Sequence, residues 1–414
     1  MQDMSLSYRV NSALTHLALF VLIIGVFTPW PVLKYFPFII IVPSVYFTYL
    51  FFRERGWNGL YYLNPSQWCL MGLFGLLIMS MIVHFESGRN LNYIYQEMKY
   101  LPICFLSVFA FREVFKDGEK GRVLINFALV CCSLGTLYGL LAMWLGYYPI
   151  ENIKVLAGNR NNGPDNYLMV YSPILAHFMV IITGMFIYRK KIGNYVGVKW
   201  IVLHWVINFV GLFYTYTRGA WLAFLFAIPF FFVGKGKKYF LKAVAGSVVV
   251  LCVGILVSPT AKRRFFNSNG SNNQRIALMK AGVEAIKEKP LLGWGYQNFK
   301  KNSIELMKKY GIDYPWQNKM PVHNNLMEYT IAFGVLGFVF LLAFHLFWAR
   351  EALSGISPYG NISFVFIVSV FIFGIADCHF LHIKAFAFIF TVYALSRALV
   401  FRDVKEPELV PAFE

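Results

Sequence analysis

Apolar runs dominate this chain, and one long polar interval interrupts them. A membrane-spanning helix needs about 20 apolar residues. By that ruler the runs predict twelve spans: 13–30, 35–52, 67–84, 97–111, 123–146, 167–188, 199–217, 219–234, 239–258, 324–348, 361–378 and 383–401. The first run follows Arg9 but has no small-x-small cleavage site, so it reads as a span and not as a removed signal. The expected fold is therefore all-α, a polytopic integral membrane protein with about 12 transmembrane helices. The stretch 199–234 must be split, because as one helix it would be roughly 54 Å long. Arg218-Gly219 lies near its middle, and a glycine there permits a tight reversal.

The polar interval divides the chain. Residues 1–258 hold helices 1 to 9, 259–322 form a loop, and 323–414 hold helices 10 to 12 and a tail. Within the loop, Ile276, Met279, Val283 and Ile286 recur at three- and four-residue spacing, with Lys280, Glu284 and Lys287 opposite. That pattern predicts an amphipathic helix, lying on the membrane surface or on the bundle and stopped by Pro290. Arg275 is expected in its first turn, where the helix dipole favours an anion.

Composition agrees with the pattern. The chain is 58% hydrophobic and 14% charged, against roughly a quarter charged in soluble domains. A net charge of +18 would suit a nucleic-acid binder. The basic residues cluster in short loops between apolar runs, however, so membrane orientation explains them and no nucleic acid is expected. Arg53, Arg55, Arg112, Lys116, Lys120 and Arg122 lie on one side, as do Arg189 to Lys191 and Lys235 to Lys242. The short loops of the other side carry fewer. By the positive-inside rule both termini are cytoplasmic and the long loop is outside, which in a bacterium is the periplasmic face. Six cysteines, all in apolar runs and without ligand spacing, read as buried thiols.

The outer side then collects the groups that could carry chemistry. Arg218 sits at the turn, Arg275 on the loop helix, His323 just before a span, and Asp377 near the outer end of another. Each has a plain alternative, such as a snorkelling arginine or a capping histidine. Together they suggest more. Two guanidiniums can grip a pyrophosphate. A histidine beside them, at the positive end of a helix dipole, can take a proton from an attacking hydroxyl. Asp377 could orient the imidazole or balance the arginines, and both readings stay open. No Walker A loop, Rossmann fingerprint, HExxH or Asp-x-Asp pair occurs. The expected phosphate chemistry therefore relies on arginines, with no metal and no cofactor.

At these residues the chain resembles the O-antigen ligase family. His323-Asn324, nine residues, then Gly334-Val-Leu-Gly337 is similar to its His-Asn-x9-Gly-x-x-Gly signature. Thr215-Tyr-Thr217-Arg218-Gly219 resembles its Thr-x-x-Arg turn. Arg275-Ile-Ala-Leu-Met-Lys-Ala-Gly and Lys289-Pro-Leu-Leu-Gly293-Trp-Gly295 resemble its loop, and Gly374-Ile-Ala-Asp377 resembles its Gly-x-Ser-Asp segment, with Ala376 replacing serine.

The resemblance implies a GT-C-type inverting glycosyltransferase of the bacterial inner membrane, working at the periplasmic face. Its donor would be an undecaprenyl-pyrophosphate-linked glycan, its acceptor lipid A-core, and its surroundings membrane lipids. Arg218 and Arg275 would bind the pyrophosphate, with Arg160 a further candidate, and His323 would activate the acceptor hydroxyl. A Wzy-type polymerase, whose acceptor is another lipid-linked glycan, is the alternative, and the histidine-to-glycine spacing favours the ligase. A transporter or flippase would predict internal repeats and charges near mid-membrane. Neither is seen.

Overall fold

The computed structural model describes residues 6–84, 100–114, 118–150, 152–155, 160–192, 196–266, 269–354 and 357–403. The tail beyond 403, residues 97–99 of the fourth expected span, and Gly158, Asn159 and Asn267 lie outside the described residues.

The chain is an all-α polytopic membrane protein. Helices α1 (Leu6–Phe27), α2 (Phe36–Arg55) and α3 (Pro65–Val83) come first, then α4 (Tyr100–Val114) and α5 (Gly118–Leu145). A two-stranded hairpin, Tyr147–Tyr148 with Ile153–Lys154, precedes α6 (Leu168–Ile192). Next come α7 (Val198–Tyr214), α8 (Arg218–Ala227, continued as a 3-10 helix to Lys235) and α9 (Lys237–Val257). The polar interval contains α10 (Pro259–Phe266), α11 (Asn269–Glu288) and α12 (Asn298–Lys309). The chain closes with α13 (Asn325–Phe333), α14 (Val335–Ser354), α15 (Pro358–Ala376) and α16 (Ile383–Asp403).

Among the described residues, nine helical stretches are long and apolar enough to cross a membrane. Helices also occupy α4, α7 and α16, where the other three spans were expected. Burial sorts the stretches. That of Leu168–Lys191 is 72% buried and lies at the centre. That of Lys237–Val257 is 11% buried and turns Val249, Val253 and Leu256 outward, an apolar surface fit for lipid. Cys252 is exposed on this helix, so the expectation of buried thiols fails there, while Cys69, Cys131, Cys132 and Cys378 are buried.

Two packing units position the site. In the bundle, α15 packs on α6 and α8, and α14 packs on α3. Phe344, Trp348, Phe366, Phe390 and Tyr393 fill its centre. At one end of the bundle sits a second core, in which Leu278, Ala281 and Ala285 of α11 meet Phe299, Leu306 and Met307 of α12 and Val322 and Ile331 beside them. Lys384 fastens two loops by binding both carboxylate oxygens of Asp165 at 2.7 Å and the carbonyl of Thr28 at 3.2 Å.

Three sequence expectations need correction here. The buried face of α11 is not the stripe of Ile276, Met279, Val283 and Ile286. Ile276 and Val283 are exposed, and the buried positions are Ala277, Leu278, Ala281, Gly282 and Ala285. Small residues allow close approach: a Cβ on Gly282 would lie 2.8 Å from Val322. Second, α11 starts at Asn269, which puts Arg275 in its second turn, not its first. Third, the run 324–348 is not one helix but breaks at Gly334.

Candidate active site

Asp377 ends α15 in extended backbone and reaches two partners. Its Oδ1 lies 2.9 Å from Nδ1 of His323 and accepts from the Cys378 amide at 2.8 Å. Its Oδ2 lies 3.4 Å from the Arg275 guanidinium, which also donates to the carbonyl of Ala376 at 3.1 Å. The two roles left open for Asp377 are thus held together in one carboxylate. Burial pushes its pKa up, but the hydrogen bond and charge of His323, the charge of Arg275 and the Cys378 N–H outweigh that push. The carboxyl is held below its ordinary value. An ionised carboxylate only accepts, so Nδ1 carries a proton, and in the neutral ring that tautomer leaves the Nε2 lone pair for a substrate proton. Ala376 in place of serine leaves this arrangement intact, because the contact with Arg275 uses the backbone carbonyl.

Hydrogen bonds between side chains and backbone hold His323 in place. The histidine has φ +59° and precedes Asn324, the cap of α13, whose side chain accepts from Met327 N at 2.9 Å. The helix therefore begins after His323, which stands outside its first turn. Asn324 donates its side-chain amide to the Ile375 carbonyl at 3.0 Å, and its backbone N–H lies 2.9 Å from the Cys378 sulfur. Asn325 bonds Phe380 N and His379. Glu328 accepts from Val322 N at 3.0 Å, fixing the segment just before the histidine. The segments 322–325 and 375–380 are thus joined across the site.

The glycines of the resembling motifs mark close approaches. Gly334 has φ +68°, and a Cβ there would lie 2.1 Å from the Leu291 carbonyl oxygen. Val335 N donates to Pro290 O at 2.8 Å, Trp294 N to Ile331 O at 2.7 Å, and Gly295 N to Ala332 O at 3.0 Å. The Pro290–Gly295 segment therefore supplies the partners that the broken helix end would otherwise lack. A Cβ on Gly374 would lie 2.8 Å from the Asn325 amide.

The arginines approach from the other side. Arg218 is the first residue of α8 and donates to Asn272 Oδ1 at 2.7 Å. The reversal before it is made by Tyr216, with φ +49°, and not by Gly219, which is helical. A Cβ on Gly219 would be 3.5 Å from Phe373, ordinary contact. Arg160 donates to the Thr215 carbonyl at 2.8 Å and to Thr217 Oγ1 at 3.2 Å. Burial and the charge of Arg264 push its pKa down to about 10, so it stays cationic at neutral pH.

All five residues singled out in the sequence, Arg160, Arg218, Arg275, His323 and Asp377, line one cavity of about 280 Å³. Arg264, Lys300, Gln274, Tyr167 and His382 line it too and were not foreseen. Arg264 and Lys300 looked like the solvated charges of a polar loop. Tyr167 and His382, edge to face at 5.4 Å, come from separate loops with no motif. Burial pushes His382 down to about 4, with Asp377 opposing and Lys300 and His323 adding to the push, so its ring is neutral at pH 7. Asp377 is the one carboxylate among the lining residues. Such a cavity is suited to an anion beside a base.

Residues 203–342 match the family model described as O-antigen ligase. The match spans Arg218, Arg264, Arg275, Lys300, His323 and the Gly334–Gly337 pair, and leaves Arg160 and Asp377 outside. A search of curated proteins found no match to the chain.

Proposed function

We propose, from the match of residues 203–342 to the family model described as O-antigen ligase, that this multi-pass membrane protein transfers a glycan from undecaprenyl pyrophosphate to a hydroxyl of lipid A-core. The observation that carries the reading is the His323–Asp377 pair, 2.9 Å apart, opening on a cavity lined by Arg160, Arg218 and Arg275. His323 takes the acceptor proton at Nε2. The acceptor oxygen attacks the anomeric carbon as the bond from that carbon to the pyrophosphate oxygen breaks. The pyrophosphate leaves with the bonding electrons, its charge held by the arginines, and the configuration inverts. Asp377 stabilises the imidazolium that forms, and Arg275 holds Asp377 in place. The reaction needs no metal on this reading, since fixed guanidiniums meet the developing charge.

The wider frame follows the same reading. The nine span-length stretches together with α4, α7 and α16 would make twelve crossings in a GT-C-type architecture. Residues 1–258 and 323–414 would form the membrane part and 259–322 the outer loop. The lysine and arginine asymmetry supports cytoplasmic termini and a cavity facing the periplasm of the inner membrane.

The test is reconstitution of the purified protein with an undecaprenyl-pyrophosphate glycan, with and without lipid A-core. Glycan on lipid A-core, made only when that acceptor is present, is the expected product. Longer lipid-linked chains without lipid A-core would make the protein a polymerase, and no product in either case would overturn the glycosyltransferase reading.

A further inference from the structure

The cavity holds more positive charge than one pyrophosphate requires, and the surplus is not evenly placed. Arg160, Arg218 and Arg275 are each tied to a neighbour: to Thr215 and Thr217, to Asn272, and to Asp377 and Ala376. Among the described residues, neither Lys300 nor Arg264 has a hydrogen-bond or ion-pair partner for its charge, although both line the cavity and are half-buried. A cation at such a position is free to meet an anionic group of a ligand.

The lysine stands apart from the arginine side. Arg160 and Arg218 gather at the Thr215–Thr217 turn, and the charge of Arg264 bears on both. Lys300 lies on α12, one turn before Ser303, whose hydroxyl accepts from Met320 N at 3.2 Å. That contact seats this face of α12 against the segment leading to His323. The charge of Lys300 is felt at His382, together with those of His323 and Asp377. Lys300 thus enters the cavity from the helix packed on the segment that leads to His323, whereas Arg160 and Arg218 enter it from the Thr215–Thr217 turn.

Resting on the glycosyltransferase reading above, we infer that the cavity takes two anions: the donor pyrophosphate on the arginine side and, at Lys300 on the histidine side, an oxyanion carried by the acceptor. The acceptor would then be a phosphorylated or carboxylated glycan, and the ammonium would bring its hydroxyl to His323. Lysine suits this role as a mobile point charge that makes no demand on the geometry of the group it meets.

The experiment is calorimetric titration of the full chain in lipid nanodiscs. Inorganic pyrophosphate is titrated first. Glucose 6-phosphate and glucuronate are then titrated at saturating pyrophosphate, with glucose as the neutral control. Both wild type and Lys300→Gln are compared with Arg218→Gln. The expected result is that a sugar anion binds together with pyrophosphate while glucose does not, and that Lys300→Gln weakens the sugar anion about tenfold or more with pyrophosphate unchanged. If phosphate and carboxylate differ, the tighter one names the group. Mutual exclusion of sugar anion and pyrophosphate, absence of sugar-anion binding, or a Lys300→Gln effect on pyrophosphate alone would each overturn the second site. Pyrophosphate binding that is absent, or indifferent to Arg218→Gln, would instead overturn the donor reading. Lys300→Gln removes the charge and shortens a half-buried side chain by one atom, and a melting temperature near that of wild type confirms that it folds.

Discussion

Asp377 holds His323 from 54 positions away in the chain, with Oδ1 2.9 Å from Nδ1. Neither residue is placed by its own neighbours alone. His323 is in left-handed backbone before α13, and Asp377 is in extended backbone after α15. The bond exists because the 322–325 and 375–380 segments are joined by Asn324 and Asn325.

Replacing the carboxylate tests what the bond does. In Asp377→Asn the amide can accept only through its carbonyl oxygen, and the contact with Arg275 loses its charge. The expected result is a loss of transfer of about a hundredfold or more, with donor binding weakened much less. A turnover assay beside a donor-binding assay checks it. Equal loss in both would mean that the residue acts on folding.

The same carboxylate predicts a pH dependence of stability. Its pKa is depressed in the fold, so its contribution is present above the unfolded aspartate value of about 3.9 and is lost as pH falls through the lower folded value. The difference in melting temperature between wild type and Asp377→Asn should therefore shrink as pH drops below about 4. Thermal unfolding in detergent at pH 6, 4 and 3 measures it. A constant difference would contradict the assignment.

Gly334→Ala should be damaging. The residue has φ +68° and ψ −160°, a region only glycine visits readily, and an added Cβ would meet the Leu291 carbonyl. The backbone strain alone costs of order 1–3 kcal/mol. Expected are a lower melting temperature and weaker transfer, because the Pro290–Gly295 contacts that order the outer loop would have to shift. Gly219→Ala is the control, since its Cβ would meet only ordinary contacts.

Removing metal should not stop the reaction. Transfer in proteoliposomes is expected to survive EDTA at full rate. A loss that added magnesium restores would overturn the arginine-based account of leaving-group stabilisation.

Much of this was legible in the chain because membrane helices must be long, apolar and internally bonded. The runs located the helices, and Arg218, Arg275, His323 and Asp377, charged or titratable groups at the ends of apolar runs and in the polar interval, line one cavity. What escaped reading has physical causes. The buried face of α11 sets Leu278 among Ala277, Ala281, Gly282 and Ala285, where fit more than hydropathy decides, whereas the apolar Ile276 and Val283 are exposed. Tyr216 takes a positive φ that tyrosine seldom adopts, so the sequence points instead to Gly219, three residues on, for the reversal. Lys300 and Arg264 carry no local pattern. They reach the cavity only once α10 and α12 are folded over it.

The most direct test of the central claim is single-turnover transfer in proteoliposomes by wild type and His323→Gln, with donor binding measured on the same samples. The account predicts that the variant stays folded, binds the pyrophosphate-linked donor as before, and transfers glycan at least about a hundredfold more slowly. Normal transfer by a folded His323→Gln protein would contradict it and remove the base from the mechanism.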